Sequence, residues 1–204
     1  LLADALPDKY GDRLINAWLA EQGRTPESFN PVERLCYVGR RGMGALEFRP
    51  AVGGSGRKPS KVDVSSLVRL ANLVLDEKTS LHGVLEGKND LAAIDDILRV
   101  GTSAGGARAK AILAWNPDTG EFRHGQIDAG EGFEHWLMKF DGIDNNRDKE
   151  EPDPQGYGLI EYAYYLMAVD AGIDMMPCRL HHEGDRSHFM TRRFDRPMGD
   201  DGLS

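Results

Sequence analysis

Apolar positions along the chain fall into short periodic runs separated by glycine, proline and acidic stretches, and the period changes with position. Over residues 12–22, Leu14, Ile15, Trp18 and Leu19 recur on one stripe of a helix, and Gly23 stands where a helix C′ residue belongs. A second helix is expected from Pro31, with Val32, Leu35 and Cys36 inward. Residues 39–44 read as a turn, and residues 45–49 alternate with period two, as a half-buried strand does. Residues 51–60 are too rich in Gly, Ser, Pro and Lys to bury much, which makes them a loop or a connection. Two helices are expected beyond them. In residues 63–77, Leu67, Leu70, Ala71, Val74 and Leu75 share a face, with Asp63 or Ser65 as N-cap. In residues 90–99, Leu91, Ile94, Ile97 and Leu98 point inward, with Asn89 or Asp90 as cap.

The second half changes character. A glycine-rich stretch, residues 101–110, leads into residues 111–115 and 121–124, two strands around Asn116-Pro-Asp-Thr-Gly120. Proline pre-sets φ in that turn and glycine supplies φ > 0. Residues 134–140 are strand-like, and residues 141–153, with six acids against two bases, read as a solvated loop. Residues 158–171 form the clearest helix, with Ile160, Ala163, Tyr164, Met167 and Ala168 inward and Gly172 closing it. Residues 179–182 and 187–194 are two strands around the turn Glu183-Gly-Asp-Arg186. No internal repeat is found. The order of elements argues for an α+β fold with an antiparallel sheet.

Composition narrows the classes of function. With 204 residues and 2 cysteines, the chain buries a real core without a disulfide framework. Cys36 and Cys178 have no CxxC partner and fit a reducing compartment or inert burial. No apolar run is long enough for a bilayer-spanning helix, and the N-terminus has neither a basic nor an apolar leader pattern. A net charge of −8 argues against nonspecific binding to nucleic acid or anionic membranes. The start at Leu1-Leu2 and the end at Gly202-Leu-Ser204 give the expectation that this is a piece of a longer protein.

Chemistry concentrates in the second half. Ser103, Ala104, Gly105, Gly106 and Ala107 are small enough for backbone N–H groups to approach a phosphate, and Thr102 and Ser103 add hydroxyl donors. The loop is neither a Walker A motif, since Ala107-Arg108 stand where Lys-Ser/Thr is required, nor a GxGxxG motif. On pattern alone it reads equally as a phosphate loop and as an ordinary glycine turn. Lys139 lies in an apolar strand beside Trp136, Leu137, Met138 and Phe140, so it must snorkel or face a partner charge. An edge-strand lysine is one reading. The other comes from order: glycine loop, hairpin, strand lysine, then a helix with Glu161 near its start is the layout of a kinase small lobe. Asp144, Asn146 and Asp148 have EF-hand spacing, but Lys149 replaces the glycine and Gln155 the glutamate, so a solvated loop is the better reading. Cys178, His181, His182 and His188 lack a second close pair for zinc, and the histidines read as surface residues; no metal site is assigned.

Several stretches then resemble, in order, the HipA family of bacterial serine/threonine kinase toxins. These are SAGGARAK (103–110), HWLMKFDG (135–142), IEYAYYLMAVDAGI (160–173) and MTRRFDR (190–196), with LPDKYGDRLINAWLAEQGR and RRGMGALEFRP upstream similar to that family's N-terminal subdomain. The resemblance implies part of that subdomain over residues 1–100 and a kinase-like, ATP-binding small lobe over 101–204, with the large lobe absent. It implies that Gly105, Gly106, Ala107, Arg108, Ala109 and Lys110 form the ATP-phosphate loop and that Lys139 binds phosphate, supported by an ion pair with Glu161. Arg192, Arg193 and Phe194 would be the hinge that meets adenine, largely through backbone groups. Ser103 falls where the family has a regulatory autophosphorylated serine. Arg108 in the loop and Arg192 in the hinge are departures from relatives.

The sequence holds no HRD-like catalytic loop and no DFG, so no catalytic residue is assigned and the chain by itself is expected to be inactive. The ligands for Mg2+ are expected in the missing lobe. The implied partners are a HipB-like helix-turn-helix antitoxin, through which alone DNA is met, and a protein substrate such as an aminoacyl-tRNA synthetase. The implied location is the bacterial cytoplasm, with no membrane partner. The alternative is a non-catalytic regulatory or docking module with a small-lobe shape.

Overall fold

The computed structural model describes residues 2–44, 46–51, 61–75, 100–101, 108–126, 128–143 and 155–196. The first helix, α1 (Lys9–Glu21), is capped by Asp8, whose side chain accepts from Gly11 N–H at 2.8 Å. It ends as the glycine foretold: Gly23 has φ +69°, its N–H donates to Ala20 O at 3.0 Å, and Arg24 N–H donates to Leu19 O at 2.9 Å. Leu14, Ile15 and Leu19 are fully buried.

Helix α2 (Pro31–Val38) begins with a capping box in which Asn30 and Glu33 satisfy each other's backbone donors. Its inward face differs from the expected one. Val32 is 67% exposed and Cys36 half-buried, while Leu35, Tyr37 and Val38 are buried. The aromatic cluster decides this: Tyr37 lies 4.9 Å from Trp18 of α1 and meets Phe29 edge-on, and that contact rotates Val32 to solvent. Residues 46–51 form no strand, although residues 45–49 alternate. Phe48 N–H donates to Gly39 O at 3.1 Å, a return over the end of α2, and among the described residues no adjacent strand offers that segment a ladder. Helix α3 (Val64–Leu75) starts at Asp63, whose carboxylate accepts from Ser66 N–H at 3.0 Å, and buries Leu67, Leu70 and Ala71. Residues 90–99 lie outside the described residues.

Five strands form one antiparallel sheet: β1 (Lys110–Trp115), β2 (Phe122–His124), β3 (Glu134–Lys139), β4 (Cys178–Glu183) and β5 (Arg186–Arg192), in the order β2-β1-β3-β5-β4. Asn116 Oδ1 builds the first hairpin turn by accepting from Asp118 and Thr119 N–H at 3.0 and 2.9 Å, and Gly120 takes φ +71°.

Register assigns the two faces. Ala111, Met138 and Met190 are direct cross-strand partners, and all three join a core with Tyr10 and Leu14 of α1 and Leu67, Leu70 and Ala71 of α3. Lys110, Lys139 and Phe189 are partners in the next row, so their side chains belong to the opposite face. Helix α4 (Tyr157–Asp170) lies there. The apolar core therefore runs unbroken from α1 to β5. Among the described residues no helix is long and apolar enough to cross a membrane.

Helix α4 does not bury the face its sequence suggested. Ile160, Tyr164 and Met167 are 49%, 67% and 56% exposed, Ala163 is exposed too, and Ala168 is only half-buried. Apolar residues surround this helix, so periodicity has no polar side against which to define a face. Contact is chosen by the first turn instead. A Cβ on Gly158 would stand 1.8 Å from Ser187 O, so the missing side chain lets the helix backbone lie directly on β5. Gly158→Ala is expected to lower stability by about 1–3 kcal/mol through overpacking, whereas Leu166→Gln on the exposed side stays within about 0.5 kcal/mol. Urea denaturation followed by circular dichroism compares the two.

Candidate functional site

The end of β3, the start of β1 and the first turns of α4 converge on one carboxylate. Lys139 Nζ donates to Glu161 Oε2 at 2.6 Å, and Arg108 Nη1 donates to Glu161 Oε1 at 3.1 Å. The sheet places Lys139 on the face that α4 covers, and Gly158 lets Glu161 approach within reach. Arg108 also lies 3.8 Å over the Tyr157 ring, and Lys139 Nζ stands 5.7 Å from the Phe189 ring. All three charged side chains are partly exposed, at 35% for Lys139, 24% for Arg108 and 23% for Glu161. Glu161 thus orients two cations side by side, and both remain partly exposed, within reach of an anion from solvent. Guanidinium and ammonium groups in such a setting suit oxygen-rich anions, phosphates above all.

The rest of the glycine-loop assignment divides. Ser103, Gly105, Gly106 and Ala107 lie outside the described residues. Ala109 is buried and its carbonyl accepts from Phe140 N–H at 3.1 Å, tying the start of β1 to the end of β3. Lys110 sits directly opposite Lys139, but its ammonium is turned away to Asp8: Nζ donates to Asp8 Oδ2 at 2.9 Å, with the lysine side chain 2% exposed. Burial pulls the Lys110 pKa down, and the hydrogen bond and charge of Asp8 pull it back. Sequence reasoning missed Asp8. Its capping role has a local signal, whereas its partner lies 102 residues away.

At the end of β5, Arg192 N–H donates to Pro177 O and Arg193 N–H to His135 O, both at 2.9 Å. Both hinge donors are thus used within the fold, and Phe194 is 71% exposed. The Arg193 guanidinium is buried and grips Asp195 through two bonds, Nε to Oδ1 at 2.8 Å and Nη2 to Oδ2 at 2.6 Å. Asp195 Oδ2 also accepts from Gly44 N–H at 2.7 Å, which ties the N-terminal segment to the residues after β5. Burial would raise the Asp195 carboxyl. The hydrogen bonds from Arg193 and Gly44 and the charges of Arg193 and Arg196 outweigh it and bring the pKa down to about 2.

Of the metal candidates, Asp144, Asn146, Asp148 and Lys149 lie outside the described residues. The histidine hairpin is less superficial than its sequence suggested. His188 is fully buried; its Nδ1 accepts from Asp141 N–H at 2.9 Å and its Nε2 faces Glu183 at 3.4 Å. Asp141, expected in a solvated loop, is also buried, and its Oδ1 accepts from Gly156 N–H at 2.9 Å in front of α4. Cross-strand pairing at the sheet edge brings these polar groups inside, where they satisfy one another. His182 contacts Ser187 Oγ and the Cys178 thiol donates to Met176 O. No three His, Cys, Asp or Glu side chains among the described residues could hold a metal ion together.

Comparison with known proteins bears on the family and the fold. A HipA N-terminal domain model matches residues 1–49 and a HipA-like C-terminal domain model matches residues 102–201. No curated protein matches. A chain in the solved complex of HipA, HipB and operator DNA from the toxin antitoxin system of Shewanella oneidensis MR-1 is similar in fold, with a TM-score of 0.55 at 18% identity. The match covers 98% of this chain and 39% of that one, so this chain spans about two fifths of its solved relative.

The Arg193–Asp195 clamp carries a pH dependence of stability. The carboxyl titrates below its ordinary 3.8, so its contribution is complete above that value and is lost as pH falls toward about 2. Asp195→Asn is expected to lower the melting temperature at pH 7 and to flatten the fall in melting temperature between pH 4 and pH 2, read by thermal denaturation across that range.

Proposed function

Since the chain belongs to the HipA family, we propose that its sheet and α4 are the ATP-holding part of a serine/threonine protein kinase toxin. The observation that carries this reading is Glu161 shared between Lys139 and Arg108. In a kinase small lobe a strand lysine is oriented by a helix glutamate so that its ammonium meets nucleotide phosphates. Here the sheet supplies the lysine, α4 the glutamate, and the stem of the glycine loop a second cation that no phosphate chemistry would waste. The two adjacent cations and the partial exposure of the cluster fit a polyphosphate.

When bound, ATP supplies the transferable phosphoryl group. This chain's residues bind and orient. Lys139 and Arg108 donate to phosphate oxygens, Glu161 keeps both cations aimed, and residues 105–107 add backbone donors. With the N–H groups of Arg192 and Arg193 engaged, adenine is met by the carbonyls of residues 192–194 and by Phe194. The base and the Mg2+ ligands belong to the part of the parent beyond this chain. Ser103, in the same glycine-rich stretch of sequence, is the proposed site of regulatory autophosphorylation, because a phosphate dianion there would repel the nucleotide. The parent acts on a bacterial cytoplasmic protein, in family precedent an aminoacyl-tRNA synthetase, and pairs with a helix-turn-helix antitoxin that makes the DNA contact.

A second reading, a non-catalytic docking module, is favoured by one observation, the uncovered apolar face of α4 around Tyr164 and Met167. Intact-mass measurement of the full-length parent with MgATP separates the two. Wild type is expected to gain phosphate, Ser103→Ala to gain one fewer, and Lys139→Ala to lose about 10²-fold or more in rate. Full activity in Lys139→Ala sinks the site assignment, and a wild type that neither binds nor consumes ATP leaves the docking reading.

A further inference from the structure

Asp8 lies outside everything assigned to the nucleotide, yet it uses its two oxygens on two different parts of the fold. Oδ1 caps α1 by accepting from Gly11 N–H, and Oδ2 holds the buried ammonium of Lys110. Two residues upstream of Lys110 is Arg108, and directly across the sheet is Lys139. The same first turns of α1 also grip Gly101, on the other side of residues 102–107. A Cβ on Gly101 would stand 2.5 Å from Leu14 Cδ1 and 3.2 Å from Tyr10 Cε1. Tyr10 is itself fully buried, with a hydroxyl that has no hydrogen-bond partner among the described residues, so its ring is held there by packing. Helix α1 therefore fixes the chain at Gly101 by shape and at Lys110 by charge.

We propose that Asp8 is a positioning residue for phosphate binding: by pinning Lys110 it sets where the 108–110 stem, and with it Arg108, stands relative to Lys139 and Glu161. The inference rests on the nucleotide reading above and deepens it, because it makes the N-terminal segment part of the phosphate site. Its sign is distinctive. Asp8→Asn removes a negative charge near a polyanion site, so a bystander carboxylate predicts unchanged or tighter ATP binding. A positioning carboxylate predicts weaker binding. Asparagine caps a helix as well as aspartate does, so the substitution leaves the cap of α1 in place and removes the ion pair alone.

The test is titration of this chain with a fluorescent ATP analogue and, separately, with adenosine, in wild type, Asp8→Asn and Lys139→Ala. Asp8→Asn is expected to weaken ATP binding about tenfold, the scale of one charge-assisted hydrogen bond, and to leave adenosine binding unchanged. Equal or tighter ATP binding overturns the inference, as does an equal loss for ATP and adenosine, which marks a general structural defect. Should loss of the Asp8 charge prevent folding, Asp8→Asn/Lys110→Met removes both charges of the buried pair at once. Wild-type ATP affinity in that folded double variant also overturns the inference. If Lys139→Ala loses ATP while Asp8→Asn does not, only the Asp8 inference falls. If wild type does not bind, or Lys139→Ala binds as wild type does, the nucleotide reading falls and takes the inference with it.

Discussion

The carboxylate of Glu161, with Lys139 on one oxygen and Arg108 on the other, fixes where α4 lies on the sheet. A helix that is apolar all round has no preferred side by hydrophobicity, so its seating is left to the contacts that are directional. Among the described residues these include the Gly158 backbone against Ser187, Gly156 N–H on the Asp141 carboxylate, Arg108 over the Tyr157 ring and the charges at Glu161. All act at the start of α4, and the rest of the helix projects its apolar surface outward. Partial exposure keeps the ion pairs individually modest in stability. Their importance is geometric, since they hold two cations at a defined place while leaving them open to an incoming anion.

The opposite face of the sheet is organised by apolar packing and locked by buried charge pairs. Helices α1 and α3 cover Ala111, Met138 and Met190 in one continuous core. At its margins, Asp8 with Lys110 and Asp195 with Arg193 and Gly44 connect the N-terminal segment to both ends of the sheet region that carries the cluster. Buried pairs of this kind add little over a well-packed apolar contact, but breaking one is costly because it strands a charge. They act here as fasteners of register. The N-terminal segment is thus packed as part of the same body as the sheet, although two separate family models match the two portions.

Local physics was legible wherever one residue dictates one conformation. Asn116 and Gly120 define the β1–β2 turn, Gly23 and Gly172 end their helices at positive φ, and Asp63 caps α3. The stripe of Leu14, Ile15 and Leu19 was readable because polar residues flank it. Reading failed where context decides. Residues 45–49 alternate, but alternation makes a strand only beside another strand. Val32 lost to Tyr37 because an aromatic cluster outweighs one valine. His188 and Asp141 look like surface residues until β4 and β5 pair and enclose them.

By itself, the sequence determined the order and type of most elements, the lysine strand and glutamate helix, and the family, because these rest on periodicity, turn chemistry and motif order, all short in range. Only the tertiary structure decided which cations meet which carboxylates. Lys110 and Lys139 look alike in sequence, and register places them side by side, yet one ammonium goes to Asp8 and is buried while the other goes to Glu161 and stays within reach of solvent. That difference is set by which element covers the ammonium, an outcome of packing between segments as much as 102 residues apart that no local pattern encodes.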